Sequence, residues 1–256
     1  MLKKRLIFIL FFNDGYFHLS RNFVLQKVGD VDWLLDKFRF IEIGKYIDEL
    51  ILLDVTRNPG LESEKLLEEA VKTLMKKVLV PLSIGGRLNS IEKVSRCFQI
   101  GADKVVLNTS LFVDPFLAIS CVEKFGSQAV VASIDVKEDQ GNYNCFSHNG
   151  SVKQFKLSEH LKKIVEIKPG ELFVQSVNKN GTGTGLDLIL AKKLFQVPMP
   201  LIIAGGAGKP EHFKSALQFD HISAVATGNL FNFIGDGFKQ ARDHLVSSGC
   251  RVRNYR

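Results

Sequence analysis

The sequence predicts a single (β/α)8 barrel made of two similar halves. Eight short apolar runs alternate with amphipathic stretches along its 256 residues, and continuous apolar runs are typical of parallel strands covered on both faces. Segments about 120 residues apart, roughly half the chain, also repeat each other in sequence. An open doubly wound sheet is the alternative fold, but it does not naturally produce two equal halves.

The elements follow in order along the chain. We predict strands at Leu6–Phe12, Leu50–Val55, Val78–Ile84, Lys104–Asn108, Ala129–Ile134, Leu172–Ser176, Leu201–Ala204 and Ala224–Thr227. Helical patterns lie between them, for example over Ser63–Val71 and over Ser90–Val94, where Asn89 or Ser90 is the predicted N-cap. No linker rich in Pro, Gly or Ser divides the chain, so residues 1–256 are predicted to form one domain.

The internal repeat also shows where the two halves differ. Pro81–Gly86 matches Pro200–Gly206, and Ile7–Phe11 matches Val131–Asp135. At the last residue of the second pair, one strand ends in a carboxylate and the other in a phenylalanine ring. A site built for two facing carboxylates would therefore have lost one of them.

The charge balance indicates anionic partners. With 34 Lys and Arg against 27 Asp and Glu, the formal net charge is +7. Such a balance favours phosphorylated small molecules or an acidic protein face, or is simply that of a basic surface. Nucleic acid is not predicted as a partner, because no basic run is interleaved with aromatic residues. The six histidines have no metal-ligand spacing, so neither a metal nor another cofactor is predicted.

The N-terminus and the cysteines both predict a cytoplasmic protein. Lys3–Arg5 followed by Leu6–Phe12 resembles a short signal peptide, but no small-residue cleavage pattern follows, and a buried first strand explains the run better. No apolar stretch is long enough to cross a bilayer, so no membrane association is predicted. The four cysteines form no CxxC pair, which is typical of reduced thiols in the cytosol.

The C-terminal ends of the strands should form one rim, here called the mouth. Glycine-rich turns at this rim let backbone N–H groups approach phosphate oxygens, although they can also be tight turns with no ligand. We predict two phosphate or substrate sites on opposite sides of the mouth, formed by Gly85, Gly86, Arg87, Asn108, Thr109, Asn178, Gly205, Gly206, Gly208, Thr227, Gly228 and Asn229. Two polar segments face the same side, Lys137–Gln154 as a hairpin or lid and Asn180–Gly185 as a flexible loop.

Two carboxylates at the mouth are candidates for catalysis. Asp135 could act as a general acid or base, or it could cap a loop or pair with Lys137. Asp54 could support the reaction, or it could cap the loop that follows it.

The opposite rim, here called the floor, carries a regular pattern of charges. Four residues stand just before the first, second, fourth and sixth strands: Arg5, Glu49, Lys104 and Glu171. Ordinary solvated charges at strand starts are the alternative explanation, and isolated exposed pairs contribute little to stability. The regular positions favour a closed ring of salt bridges.

These residues resemble those of a known family over nearly the whole chain: the cyclase subunit of imidazole glycerol phosphate synthase. The matching stretches are Lys4–Ile7, Asn13–Gly15, Asp48–Leu50, Leu53–Thr56, Gly101–Val105, Phe125–Val131, Ile134–Lys137, Gly205–Lys209 and Glu211–Phe213. The resemblance implies a (β/α)8 barrel with a glutaminase subunit docked on its floor. Ammonia from that subunit passes through a gate and along the barrel to a substrate with two phosphates, which becomes an imidazole ring.

The resemblance assigns roles to several floor residues. It implies that Arg5, Glu49, Lys104 and Glu171 form the ammonia gate, and that Asp103 contacts the glutaminase. All four gate charges are kept, so the machinery for receiving ammonia looks intact.

The mouth departs from the family pattern. The family uses two aspartates as acid and base, and only Asp135 is kept, because Phe11 stands at the other position. Leu19 replaces an expected lysine, and Arg87 replaces the third glycine of the first phosphate loop. Two asparagines, Asn178 and Asn180, stand where the family has aspartates. Ring closure should therefore be largely lost.

This combination fits a second branch of the family, found in surface-polysaccharide gene clusters beside a separate amidotransferase. The resemblance implies a cyclase-like subunit that receives ammonia from a glutaminase and delivers it for amidation of an O-antigen sugar, forming an acetamidino group of lipopolysaccharide. The expected partners are the glutaminase, a separate sugar amidotransferase, and a phosphorylated or nucleotide-linked small molecule. The alternatives are an authentic cyclase of histidine biosynthesis and a non-catalytic scaffold that activates the glutaminase.

Overall fold

Eight parallel strands close into a barrel in the computed structural model, which describes residues 3–37, 39–57, 60–148, 150–228 and 236–254. The strands of the described residues are β1 (Arg5–Asn13), β2 (Tyr16–Arg21), β3 (Val24–Gly29), β4 (Glu49–Asp54), β5 (Leu82–Gly85), β6 (Lys104–Leu107), β7 (Val130–Asp139), β8 (Asn142–Ser147), β9 (Val152–Lys156), β10 (Glu171–Ser176), β11 (Leu201–Ala204) and β12 (Ile222–Thr227). The barrel order is β1-β4-β5-β6-β7-β10-β11-β12, and β12 pairs with β1. The predicted (β/α)8 barrel is confirmed.

Helices follow the barrel strands and cover their outer faces. They are α1 (Val31–Asp36), α2 (Phe40–Gly44), α3 (Leu61–Met75), α4 (Ile91–Gln99), α5 (Ser110–Val113), α6 (Pro115–Phe125), α7 (Leu157–Ile167), α8 (Leu188–Lys193), α9 (Pro210–Leu217) and α10 (Gly237–Ser247). Ser90 caps α4, as predicted, because its side chain accepts a hydrogen bond from the Lys93 N–H at 3.4 Å. No helix in the described ranges is long and apolar enough to span a bilayer.

One predicted strand begins too early. The apolar run from Val78 predicts a strand start there, but β5 begins only at Leu82. The Val78 N–H donates to the Leu74 carbonyl at 2.8 Å, which continues the last turn of α3. Pro81 then has no N–H to contribute to a strand ladder. Val78 is buried for a different reason, since its side chain packs against Gly44.

Two separate apolar clusters hold the barrel together. The larger one lies between the outer face of the strands and the helices. The smaller one fills the barrel interior and includes Ile7, Ile9, Phe11, Val106 and Phe173. Because side chains alternate along a strand, the inward positions of β1 are its odd-numbered residues, from Arg5 at the floor to Phe11 at the mouth.

Antiparallel strands extend the barrel wall at the mouth. The segment Lys137–Gln154, predicted as a hairpin or lid, forms the end of β7, β8 and part of β9. A second hairpin, β2 and β3, follows β1 and was not predicted. Its two turn residues, Asn22 and Phe23, both have positive φ angles, 50° and 65°. Such a turn matches the twist of the flanking strands, but the sequence there lacks the glycine that usually marks it.

Candidate functional site

The four floor charges meet in a closed ring, here called the floor ring. Arg5 and Lys104 each contact both Glu49 and Glu171, with N–O distances of 2.6 and 3.0 Å for Arg5 and 3.2 and 2.8 Å for Lys104. The alternative of separate solvated charges is therefore wrong. The four are the first residues of β1, β4, β6 and β10, so one inward position on each strand brings them to the same layer.

Burial and pairing act against each other in the floor ring. Burial disfavours the charge on Arg5, but hydrogen bonds and charges from Glu171 and Glu49 outweigh it and raise the Arg5 pKa. Burial likewise disfavours the charge on Glu171, but Arg5 and Lys104 outweigh it and lower the Glu171 pKa. Both shifts favour the charged forms of Arg5 and Glu171 at neutral pH.

Asp103, the predicted contact with a partner, lies exposed on the floor beside Lys104 of the floor ring. Its carboxylate accepts a hydrogen bond from the Leu82 N–H at 2.8 Å. Asp48 does the same beside Glu49, accepting from the Leu6 N–H at 2.8 Å. These aspartates fix the starts of neighbouring strands, so Asp103 has a structural role whether or not a partner contacts it.

At the mouth, Asp135 is almost entirely buried, with 7% of its surface exposed. Burial raises its pKa to about 7, and a hydrogen bond from the Asn108 amide at 3.0 Å only partly opposes the shift. Within the described chain Asp135 makes no ion pair with Lys137, whose ammonium instead lies 5.9 Å from the centre of the Phe146 ring. A carboxyl that titrates near neutral pH can both donate and accept a proton.

This burial gives a testable expectation for Asp135→Asn. The folded pKa of about 7 exceeds the unfolded value of about 3.8, so the folded state binds the extra proton between these values and loses stability as the pH rises through them. Asp135→Asn removes the titrating group. The unfolding free energy of the variant minus that of the wild type should therefore be larger at pH 8 than at pH 4, by up to about 4 kcal/mol. Urea unfolding at both pH values checks this, and parallel pH profiles for the two proteins would refute it.

Phe11 lies at the mouth and is the residue of the first half-barrel that corresponds to Asp135 in the second. Its ring is 6% exposed and belongs to the interior apolar cluster, against which Leu25, Leu53 and Val55 pack. A Cβ added to Gly228 would come within 3.3 Å of the Phe11 ring, so the ring lies against that turn. The Phe11 ring cannot exchange a proton, and the cluster residues that pack against it are apolar.

Arg87 does not extend into the mouth as a free cation. Its guanidinium pairs with Asp54, with Nε 2.9 Å from Oδ2 and Nη2 in closer contact. Asp54 also accepts a hydrogen bond from the Thr56 N–H at 3.0 Å, so it caps the following loop as well. Gly86 is required beside this pair, because a Cβ there would lie 1.9 Å from the Asp54 carbonyl oxygen. Asp54 thus offsets the charge of Arg87, while Nη1 of the same guanidinium has no hydrogen-bond partner among the described residues. Phosphate binding by Arg87 stays a prediction.

Asn178 and Asn180 are also engaged with the protein. The Asn178 amide donates to the Glu138 carbonyl at 3.1 Å and accepts from the Glu138 N–H at 2.8 Å, which ties it to the extension of β7. These two bonds fix the Asn178 side chain, and its ligand-binding role stays a prediction. The Asn180 side chain accepts from the Ser20 hydroxyl at 2.8 Å, and its carbonyl accepts from the Asn22 N–H at 2.9 Å. Asn180 thus holds the unpredicted hairpin across the mouth.

The remaining predicted residues divide into two groups. The glycine turns after β11 and β12 come together with Phe11 around a small pocket of about 20 Å³, here called the mouth pocket. The predicted residues that line it are Gly205, Gly206, Thr227 and Gly228. Asn108 contacts Asp135, Thr109 accepts from the His148 N–H at 3.4 Å, and Gly85 lies at the end of β5. Gly208 packs against Gly183, and Asn229 lies outside the described residues.

Sequence reasoning missed several residues of the mouth pocket, among them Gln175. Gln175 points inward near the end of β10, lines the pocket and is 3% exposed. The signal in the sequence is an amide, Gln175, that directly follows the apolar run Leu172–Val174 of the same strand. Among the described residues, no three His, Cys, Asp or Glu side chains group closely enough to hold a metal ion.

Comparison with known proteins agrees with this geometry. The family model described as histidine biosynthesis protein matches residues 40–235. A relative from Parasynechococcus marenigrum (strain WH8102), named "Putative imidazole glycerol phosphate synthase subunit hisF2", is 40% identical over 95% of this chain and 90% of its own length.

Two further relatives match nearly end to end, and both are named imidazole glycerol phosphate synthase subunit HisF. The protein from Pelodictyon phaeoclathratiforme (strain DSM 5477 / BU-1) is 35% identical over 99% of this chain and 100% of its own. The protein from Chlorobaculum parvum (strain DSM 263 / NCIMB 8327) is 34% identical over the same shares. The chain therefore belongs to the histidine biosynthesis protein family, as a barrel of the HisF type found in imidazole glycerol phosphate synthase.

Proposed function

We propose that this barrel receives ammonia from a glutaminase subunit on its floor and delivers it at its mouth to an acceptor other than the family's diphosphate substrate. The acceptor is a sugar of the O-antigen of lipopolysaccharide, amidated to an acetamidino sugar by a separate amidotransferase. The observation that carries the proposal is the combination of a complete floor ring with Phe11 in place of the second mouth carboxylate.

The floor ring supports the receiving half of the proposal. Four charges close the barrel axis at one end, and both cations contact both anions. Opening one of these ion pairs would leave a gap on the barrel axis through which a small neutral molecule could pass. Asp103 lies beside the ring on the exposed face that a glutaminase would cover.

The mouth supports the delivering half. The mouth pocket of about 20 Å³ has room for roughly one water-sized molecule. Two of the side chains predicted to bind a phosphorylated substrate also bond the protein, since Arg87 pairs with Asp54 and Asn178 pairs with Glu138. The formal charge of +7 fits an acidic amidotransferase or a nucleotide-linked sugar as the next partner.

An authentic cyclase of histidine biosynthesis is the second candidate. It is favoured by the names of the relatives and by Asp135, a carboxyl with a pKa near neutral beside Asn108. Deleting the gene separates the two candidates. We expect the deletion strain to grow without histidine and to lose the acetamidino group, as measured by mass spectrometry of its surface polysaccharide. Histidine auxotrophy that this gene alone rescues would instead assign it to ring formation.

Lys104→Ala tests whether the barrel conducts ammonia or only activates the glutaminase. Removing one cation opens the floor ring, so the complex should still hydrolyse glutamine but yield several-fold less amidated sugar per glutamate, because ammonia escapes or stalls. The measurement compares glutamate and amidated sugar formed by the reconstituted complex. Lys45→Ala is the control, since Lys45 forms an exposed pair with Glu42 outside the ring. A scaffold would keep both yields unchanged in Lys104→Ala.

A further inference from the structure

We propose that Gln175 binds ammonia in the mouth pocket through the carbonyl oxygen of its side chain. The inference rests on the proposed function, because it names the residue that would hold ammonia as it leaves the barrel. It assigns a binding role to a side chain that belongs to neither the floor ring nor the glycine turns.

Gln175 stands on the same strand as the floor ring. Glu171, Phe173 and Gln175 alternate along β10, and they pair in register with Val131, Ser133 and Asp135 of β7. Since alternate residues of a strand point to the same side, Gln175 lies on the barrel axis about 13 Å beyond Glu171. The strand thus carries a floor ring charge at one end and a neutral amide at the other.

The side-chain oxygen of Gln175 has an unmet hydrogen-bonding capacity. Gln175 is 3% exposed, and its Oε1 has no hydrogen-bond partner among the described residues. A buried acceptor without a donor destabilises the fold, so buried acceptors are normally satisfied by protein, water or ligand. A ligand that donates a hydrogen bond from within the pocket would remove this cost.

The size and charge of the mouth pocket select the ligand. At about 20 Å³ it holds roughly one molecule the size of water or ammonia. Its lining contains no charged side chain among the described residues, and Ile9, Phe11 and Ala204 form its apolar wall. Because a charge is costly to bury without a partner, this lining favours neutral ammonia over ammonium or phosphate. Ser20 and Asn180, which also line the pocket, are hydrogen-bonded to each other, and Thr227 supplies a further hydroxyl to the lining.

Nuclear magnetic resonance of the full chain, labelled with 15N at the glutamine side chains, tests the proposal. The Gln175 signal is identified as the one missing in Gln175→Leu, or in Gln175→Met if the leucine variant does not fold. We expect this signal to shift saturably when ammonium chloride is added at alkaline pH, and to shift much less at neutral pH, where ammonium predominates. Sodium chloride at equal ionic strength is the salt control, and the exposed Gln218, the C-cap residue of α9, is the internal control.

Inorganic phosphate is the second probe. A saturable shift of the Gln175 signal with phosphate and none with ammonia would make the mouth pocket an anion site and overturn the proposal. No saturable shift with either probe would overturn it as well. This outcome is independent of the Lys104→Ala test. If Lys104→Ala lowers the yield of amidated sugar while the Gln175 signal does not shift, the barrel conducts ammonia without this binding residue. If Gln175 binds ammonia while Lys104→Ala leaves the yield of amidated sugar unchanged, ammonia binding in the mouth pocket is supported and conduction through the floor ring is refuted.

Discussion

Ring closure of the family's diphosphate substrate by the isolated barrel, with ammonium salts as the nitrogen source, should be about 10²–10⁴-fold slower than in cyclases with both aspartates. A general acid or base contributes about this factor, and Phe11 can neither donate nor accept a proton. The assay follows imidazole glycerol phosphate formation by the purified chain and needs no glutaminase. Turnover at rates typical of enzymes, about 1–10³ s⁻¹, would contradict the prediction and make Phe11 a tolerated substitution.

The variants Phe11→Asp and Phe11→Asn separate the missing proton from the altered shape of the mouth. Both leave a similar space beside Leu25, Leu53 and Val55, but only the aspartate can exchange a proton. We expect both to stay as slow as the wild type, because Arg87 still pairs with Asp54 and Leu19 still stands where the resemblance implies a lysine. A large gain in Phe11→Asp alone would show that the acid was the only missing part.

Glu171→Ala should destabilise the barrel by about 3 kcal/mol, because removing one member of a buried ion pair leaves uncompensated charge. The Glu171 side chain is 9% exposed and contacts both Arg5 and Lys104, so its loss leaves two cations sharing Glu49. Urea unfolding at neutral pH measures the effect. The control is Glu42→Ala, which breaks an exposed pair with Lys45 and should cost less than about 1 kcal/mol.

A double variant distinguishes lost pairing from lost packing. Lys104→Met combined with Glu171→Gln removes one charge of each sign and keeps the side-chain volumes, so it should recover most of the stability lost in Glu171→Ala. Equal, small losses of unfolding free energy in Glu171→Ala and Glu42→Ala would mean that solvent screens the charges of the floor ring. That result would contradict a rigid, buried ring.

Much of the barrel was accessible from sequence because parallel strands covered on both faces leave continuous apolar runs. The strand end at Asp135 and the charges at Arg5 and Glu171 followed from that assignment, since strand ends meet at one rim. Val78 was misplaced because an apolar residue packed at the end of a helix is indistinguishable by hydropathy from one that starts a strand. The hairpin β2–β3 was missed because its turn residues, Asn22 and Phe23, carry no glycine signal.

The partners of the polar mouth residues depended on the folded chain. Arg87 is 33 residues from Asp54 in sequence, and Asn178 is 40 residues from Glu138, so no local pattern reveals that each is already bonded. The orphaned oxygen of Gln175 is likewise visible only once β7, β10 and β11 enclose it.

By itself, the sequence determined the barrel, its family, the retained floor charges and the loss of a carboxylate at Phe11, because each of these depends on residue identity and period along the chain. Only the tertiary structure decided that the four charges close a ring, that Arg87 and Asn178 bond the protein, and that Gln175 faces a small neutral pocket. The physical reason is that hydrogen bonds and ion pairs form between atoms that meet in space, and residues far apart in sequence meet only when the barrel closes.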